Sequence, residues 1–167
     1  MSATTAIDIL KEAILLERRG QAFYRKVARQ TENEAIKAFF DTMAQEEIRH
    51  VEILESQFAA YVQNNHFLDL TPQDKAGEPV AGLVLTAQVK EQIAAADFEA
   101  AAISAAMLME ERAVALYSQR AQSAQDPAEA TLYQWLADWE QGHLSFLAQL
   151  DRDIRETVWN DNQFWPF

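Results

Sequence analysis

Residues 34–58 read EAIKAFFDTMAQEEIRHVEILESQF, and Ile36, Phe39, Met43, Glu47, His50, Leu54 and Phe58 recur along them at steps of three and four. That spacing is one face of an α-helix turned toward a core. In the middle of the face stand a glutamate and a histidine. Residues three apart on a helix lie one turn above each other, so the Glu47 carboxylate and the His50 imidazole reach the same point in space. A helix that aims both groups into its own core requires something there to receive them.

The neighbouring stretches repeat the pattern. Thr4 to Gln30 carries Ile7, Leu10, Ile14, Glu17, Gln21, Tyr24 and Ala28 on one stripe, again with a glutamate at its centre. Asn33 is a natural N-cap for a helix over 33–63. Asn64, Asn65, Asp69, Pro72, Gly77, Pro79 and Gly82 then break the periodicity, so 64–96 reads as a long crossover. Within it the pattern predicts an extended piece at Val80–Leu85 and a short helix before Asp97. Asp97 opens a third helix over 97–123, and Asp126 followed by Pro127 starts a fourth over 126–157. The tail, 158–167, holds Trp159, Phe164, Trp165 and Phe167, too apolar to stay in water, and is expected to pack on the bundle or on a second subunit. The expectation is one all-α domain over 1–167, a four-helix bundle of two antiparallel pairs joined by a crossover.

The two pairs match each other without gaps at a shift of 93 residues. Glu17, Arg19 and Tyr24 meet Glu110, Arg112 and Tyr117, while Glu47, His50 and Leu54 meet Glu140, His143 and Leu147. Such an internal duplication puts a second Glu-x-x-His, Glu140–Gln141–Gly142–His143, in register with the first. Four carboxylates and two imidazoles then converge at mid-bundle. Buried without cations they would repel and take up protons; two divalent ions satisfy all six. Carboxylate with imidazole suits iron or manganese, alone or mixed. Glu47 and Glu140 are best placed to bridge, with Glu17 and Glu110 as terminal ligands and one histidine for each ion. Alone, either Glu-x-x-His could be a surface ion pair; in register, the set is a metal site.

Composition narrows the rest. A net charge of −12 repels phosphate backbones, which excludes nucleic acid as a partner class. The absence of cysteine excludes disulfides, zinc-thiolate sites and cysteine-held iron–sulfur clusters, and fits a reducing cytoplasm. Met1 to Leu16 has Asp8 and Glu12 in its apolar stripe and no basic start, unlike a signal peptide. The longest apolar run, Ala100 to Met109, is about half of what spans a bilayer, so no membrane partner is expected.

With this pattern in hand, residues 4–157 resemble the ferritin-like di-iron carboxylate proteins, and most closely the rubrerythrin family. The resemblance implies a ferritin-like topology and a di-iron centre on Glu17, Glu47, His50, Glu110, Glu140 and His143. It also implies that Tyr24 and Tyr117, two turns after Glu17 and Glu110, hydrogen-bond ligand carboxylates; read without it, they are equally core aromatics. The chain departs from the family twice. It has no cysteine for the rubredoxin module that feeds electrons to rubrerythrin, and Ala113 stands where rubrerythrins carry a further glutamate. The symmetric six-residue set is thus nearer to a bacterioferritin-like site.

The expected activity is oxidation of Fe(II) or reduction of O2 or H2O2, as a ferroxidase- or peroxidase-type oxidoreductase active in oxidative stress. It would need a separate electron-donor protein, and a homodimer is the default assembly for this size. Gly20 and Ala113 leave room beside the ligands for a diatomic oxidant. The alternatives are iron storage or carriage without turnover, and a metal-free interaction bundle. Other polar residues read as structural: His66 as a loop histidine, Glu46 as a solvated or ion-paired neighbour of Glu47, and Asp138 as surface charge. Met107, Met109, Trp135 and Trp139 read as packing groups.

Overall fold

The computed structural model describes residues 5–75, 86–94 and 97–161. Six helices and no strand lie among them: α1 (Ala6–Gln30), α2 (Glu34–Asn64), α3 (Pro72–Lys75), α4 (Ala87–Ala94), α5 (Asp97–Ser123) and α6 (Pro127–Asp161). Helices α1, α2 and α6 start or stop on identifiable chemistry. Thr5 and Asp8 form a reciprocal capping box at the head of α1. Asn33 Oδ1 accepts from the Ala35 and Ile36 amides, 3.0 and 3.1 Å, and α2 ends where Asn65 turns left-handed at φ 55°. Asp126 Oδ1 accepts from the Ala128 amide at 2.8 Å, with Pro127 in the first helical position. The helix then runs four residues past the expected end at 157, to Asp161.

Connections of three residues, 31–33 and 124–126, make α1/α2 and α5/α6 antiparallel neighbours. Cross-pair contacts supply the remaining directions. Along α1, Glu17 meets Tyr117 and Tyr24 meets Glu110, so α5 runs opposite to α1. Along α2, Phe39 packs on Phe146 and His50 on Trp135, so α6 runs opposite to α2. Helices α2 and α5 therefore run the same way, and the chain must travel the length of the bundle between them. That is the ferritin-like topology expected from the resemblance.

The crossover begins by lying on α2. The Gln57 amide brackets Leu68, donating to its carbonyl (3.0 Å) and accepting from its N–H (2.9 Å). Arg49 donates to the carbonyls of Gln73 and Asp74 at 2.6 and 2.9 Å. Before α5, the short helix expected ahead of Asp97 is α4, which buries Ile93 in the core. The extended piece expected at Val80–Leu85, and the tail beyond Asp161, lie outside the described residues.

Among the described residues, buried apolar side chains form two separate clusters. One gathers Tyr24, Val27, Ile36, Phe39, Phe40, Met43, Ile103, Leu147 and Leu150. The other gathers Leu10, Ile53, Leu54, Phe67, Tyr117, Leu132, Tyr133 and Leu136. In each long helix the residues between the two clusters are those of the Glu/His set, so a polar layer is held between two apolar ends. Each large side chain buried there contributes about 1.5–3 kcal/mol, enough in sum to hold buried carboxylates that would otherwise open the bundle.

Candidate metal centre

The polar layer is built by register. Glu17 comes from α1 and Glu110 from α5; Glu47 with His50, and Glu140 with His143, come one turn apart from α2 and α6. All six are at most 3% exposed. The structure brings them together as two overlapping quartets, Glu17–Glu47–His50–Glu140 and Glu47–Glu110–Glu140–His143. In each, one atom per residue lies within 4.8 Å of every other. Glu47 and Glu140 belong to both quartets. Glu17 and Glu110 belong to one each, as does each histidine.

Both imidazoles turn Nδ1 into the layer. His50 Nδ1 lies 2.8 Å from Glu140 Oε1, 3.2 Å from Glu17 Oε2 and 4.0 Å from Glu47 Oε2. His143 Nδ1 lies 3.0 Å from Glu140 Oε2, 3.7 Å from Glu110 Oε1 and 3.9 Å from Glu47 Oε1. Glu140 Oε1, although 2.8 Å from His50 Nδ1, lacks the alignment of a hydrogen bond and has no hydrogen-bond partner among the described residues. A buried carboxylate oxygen left without a partner is one that a cation could satisfy.

The two tyrosines cross between halves. Tyr24 on α1 donates to Glu110 on α5, and Tyr117 on α5 donates to Glu17 on α1. Each phenol thus orients the glutamate of the opposite half. Exchange of the two halves maps one contact onto the other, so the sequence duplication is a two-fold relation in the fold.

In the metal-free layer some groups are driven to keep a proton and one to keep its charge. Burial, with Glu17 and Glu140 alongside, pushes the Glu47 carboxyl well above the usual range. Burial and then Glu140 push Glu110 up to about 8. Burial also works against the charge on Glu140, but His50 and His143 outweigh it and hold that carboxyl well below its ordinary value. Burial favours the neutral His50 ring, yet Glu140 and Glu17 raise it to about 10. His143 is raised as well, against its own burial, first by Glu140. Burial and the facing carboxylates lift both phenols, so Tyr24 and Tyr117 remain donors. Two divalent cations would do the work of these protons, cancelling the four carboxylates with both imidazoles neutral.

Beside the layer, between α1 and α5, is a cavity of about 10 Å³ bordered by Leu16, Gly20, Met109 and Ala113. It has room for roughly one water-sized molecule. A Cβ added to Gly20 would lie 3.2 Å from Glu47 Cδ, so the missing side chain is what lets Glu47 occupy its place.

For Glu46 the structure overturns one of the two sequence readings and keeps the other. It is not solvated but buried, and it is ion-paired, bonded to His143 Nε2 and accepting from Trp139 Nε1 at 3.0 Å. The correction has a geometric cause. Helix α2 packs against α1 and α6 at once, so its buried sector is wider than a single stripe, and 100° from Glu47 is still interior. A signal was present in the heptad Phe39, Glu46, Ile53, whose outer members are core residues, and in the bulky apolar repeat mate of Glu46, Trp139. Asp138 and His66, by contrast, are exposed; Asp138 accepts from Gln134 at 2.8 Å and His66 Nδ1 lies 3.3 Å from the Asn64 carbonyl.

No helix among the described residues is long and apolar enough to cross a membrane. No curated protein and no solved structure matches the chain. The family model described as Rubrerythrin matches residues 8–151.

Proposed function

We propose, from the premise that the chain belongs to the rubrerythrin family, that its buried layer holds two iron ions and serves redox chemistry with O2 or H2O2. The observation that carries the reading is the pair of quartets sharing Glu47 and Glu140. Glu17 and His50 would complete one position, Glu110 and His143 the other. When bound, iron supplies the one-electron steps between Fe(II) and Fe(III) that no side chain of this layer can supply.

The residues do the remaining work. Four carboxylates offer anionic oxygen, which favours the more highly charged oxidation state. Tyr24 and Tyr117 keep Glu110 and Glu17 from swinging away, because each phenol donates to its carboxyl group in a dry site, a bond that strengthens once bound cations fix the carboxylate as charged. The apolar ends exclude bulk water. The small cavity at Gly20 and Ala113 admits a diatomic or water-sized reactant and leaves no space for an organic substrate beside the ligands. No cysteine among these 167 residues can hold a rubredoxin-type centre, so the electrons for repeated turnover would come from a donor outside them.

The test is metal content of protein purified without chelators, then anaerobic Fe(II) addition and a pulse of O2 or H2O2 followed by absorbance. Close to two irons per chain and a ligand-to-metal band on oxidation are expected. Fe(II) bound at that stoichiometry but inert to both oxidants would leave carriage in place of turnover. No stoichiometric binding of iron or manganese would overturn the metal reading.

A further inference from the structure

The halves supply their ligands in register, but what stands behind the two histidines differs. His143, with Nδ1 in the layer, is bonded at Nε2 to the Glu46 carboxylate. His50, also with Nδ1 in the layer, has a buried Nε2 with no hydrogen-bond partner among the described residues. Around His50 are the rings of Trp135 and Trp139, edge-on at 5.6 and 5.7 Å between centroids.

A single pair of repeat mates causes this. The mate of Glu46 under the two-fold relation is Trp139, and the two touch each other. An indole has one polar atom, an N–H donor, so it offers no lone pair to a His50 N–H. That donor is instead turned onto Glu46, where it further fixes the carboxylate. Both members of the pair therefore serve His143, and neither serves His50.

We propose that Glu46 makes the two metal positions unequal: the ion at His143 binds first and more tightly, and the ion at His50 binds second and leaves first. The proposal rests on the two-metal reading above. A carboxylate behind a ligating imidazole keeps the proton on Nε2, so the Nδ1 lone pair is free, and it locks the ring plane and raises ligand basicity. His50 has none of these. If its Nε2 carries the proton, a buried N–H goes without an acceptor; if Nδ1 carries it, the ligand atom is blocked. An ion at His50 must be bound against one cost or the other, and loss of such a partner typically weakens metal binding by about 10- to 100-fold.

The test uses Co(II) as probe, titrated anaerobically into the metal-free full chain, with heat and visible d–d absorbance read together. The native protein should show two events separated by about 10-fold or more in Kd. His50→Ala should leave one tight event, and His143→Ala one weak event. Glu46→Leu should then weaken the tight event about 10- to 100-fold in the His50→Ala background, and leave the weak event unchanged in the His143→Ala background. Glu46→Gln, which keeps an acceptor but not the charge, should fall between and guards against a Leu variant that misfolds. Two events of equal affinity in the native chain overturn the inequality and leave the two-metal reading standing. Equal weakening in both backgrounds assigns Glu46 a general packing role and overturns it as well. Absence of any stoichiometric Co(II) binding overturns the two-metal reading, and this inference with it.

Discussion

The pair α1/α2 and the pair α5/α6 are two versions of one design, and they agree and differ in different places. They agree wherever a side chain enters the polar layer: Glu17 and Glu110, Tyr24 and Tyr117, Glu47 and Glu140, His50 and His143. They differ one layer out, at Glu46 and Trp139, Gly20 and Ala113, and Arg49 and Gly142. Arg49 has a task its mate lacks, since it holds the first part of the crossover, and only the first pair is followed by a crossover. Nothing lies within 4 Å of a Cβ added at Gly142, so that position is small without being crowded. A symmetric set of donors can thus sit in an asymmetric support, and the support is where the two halves acquire separate properties.

The largest effect separates shared from unshared ligands. Glu47→Ala and Glu140→Ala each remove a carboxylate common to both quartets, and each should take the metal content from about two per chain to near zero. Glu17→Ala and Glu110→Ala each touch one quartet and should leave about one. Elemental analysis of protein loaded with iron and then desalted decides it. If Glu47→Ala retains a full ion while Glu17→Ala loses both, the quartets do not share their glutamates in the way the geometry places them.

Next in size is the response to pH, which exposes a difference between mates in the metal-free protein. Glu47 is raised and its mate Glu140 is lowered, so one holds a proton where the other holds a charge. Glu110, ordinarily near 4.5, titrates at about 8 in the folded chain, which therefore keeps a proton that the unfolded chain has lost. Stability falls as pH rises through that window. His50, moving from 6.5 to about 10, has the same sign and extends the loss to higher pH. Glu140 works in reverse and stabilises above the ordinary carboxylate range, failing as acid titrates it. The metal-free protein should be most stable near about pH 5 and lose roughly 5–10 °C of melting temperature by about pH 9. Bound cations displace these protons, so the metal-loaded protein should lose much less. Melting curves across that range, with and without metal, measure the gap; a gap that narrows as pH rises would refute the protons that Glu47, Glu110 and His50 are driven to keep.

A smaller, crossed effect tests the two-fold relation. Tyr24→Phe removes the donor to Glu110, and Tyr117→Phe the donor to Glu17. Each should weaken the ion of the opposite half by several-fold, on the order of 1–2 kcal/mol for a lost bond to a charged acceptor. In Co(II) titrations Tyr24→Phe should therefore change the event that survives in His50→Ala, and Tyr117→Phe the one that survives in His143→Ala. Effects on the same half as the tyrosine would break the pairing.

Much of this is legible in the sequence alone. Breakers at Asn64, Pro72 and Pro79, and caps at Asn33 and Asp126, mark the helices because they act locally, through backbone chemistry within a few residues. The six polar residues stand out because glutamate and histidine in an apolar stripe are costly, and the duplication repeats them in register. Glu46 was not legible by the same rule. Its burial depends on which second helix lies against α2, a tertiary fact, and a glutamate beside an established core glutamate looks like ordinary surface. The reach of Tyr24 to Glu110 and not to its own helix is of the same kind. Periodicity says which face a residue occupies, and only packing says what it meets there.

The smallest effect concerns Gly20 and Ala113, and its value lies in its sign. Alanine is favoured over glycine in a helix by up to about 1 kcal/mol, so Gly20→Ala should not harm the metal-free fold. The new methyl would stand 3.2 Å from Glu47 Cδ and 3.3 Å from Oε2, and a free carboxyl group can move aside by a few tenths of an ångström. A carboxylate fixed between two cations cannot move without stretching its bonds to them. Gly20→Ala should therefore hold or slightly raise the melting temperature of the metal-free chain while weakening metal binding a few-fold. Ala113→Gly should do the opposite, lowering the metal-free melting temperature by about 2–4 °C per kcal/mol lost and leaving affinity near its native value. If both variants change stability alone, Gly20 is a tolerated small residue. If they separate as stated, the first half gave up helix stability at Gly20 so that Glu47 could reach both ions.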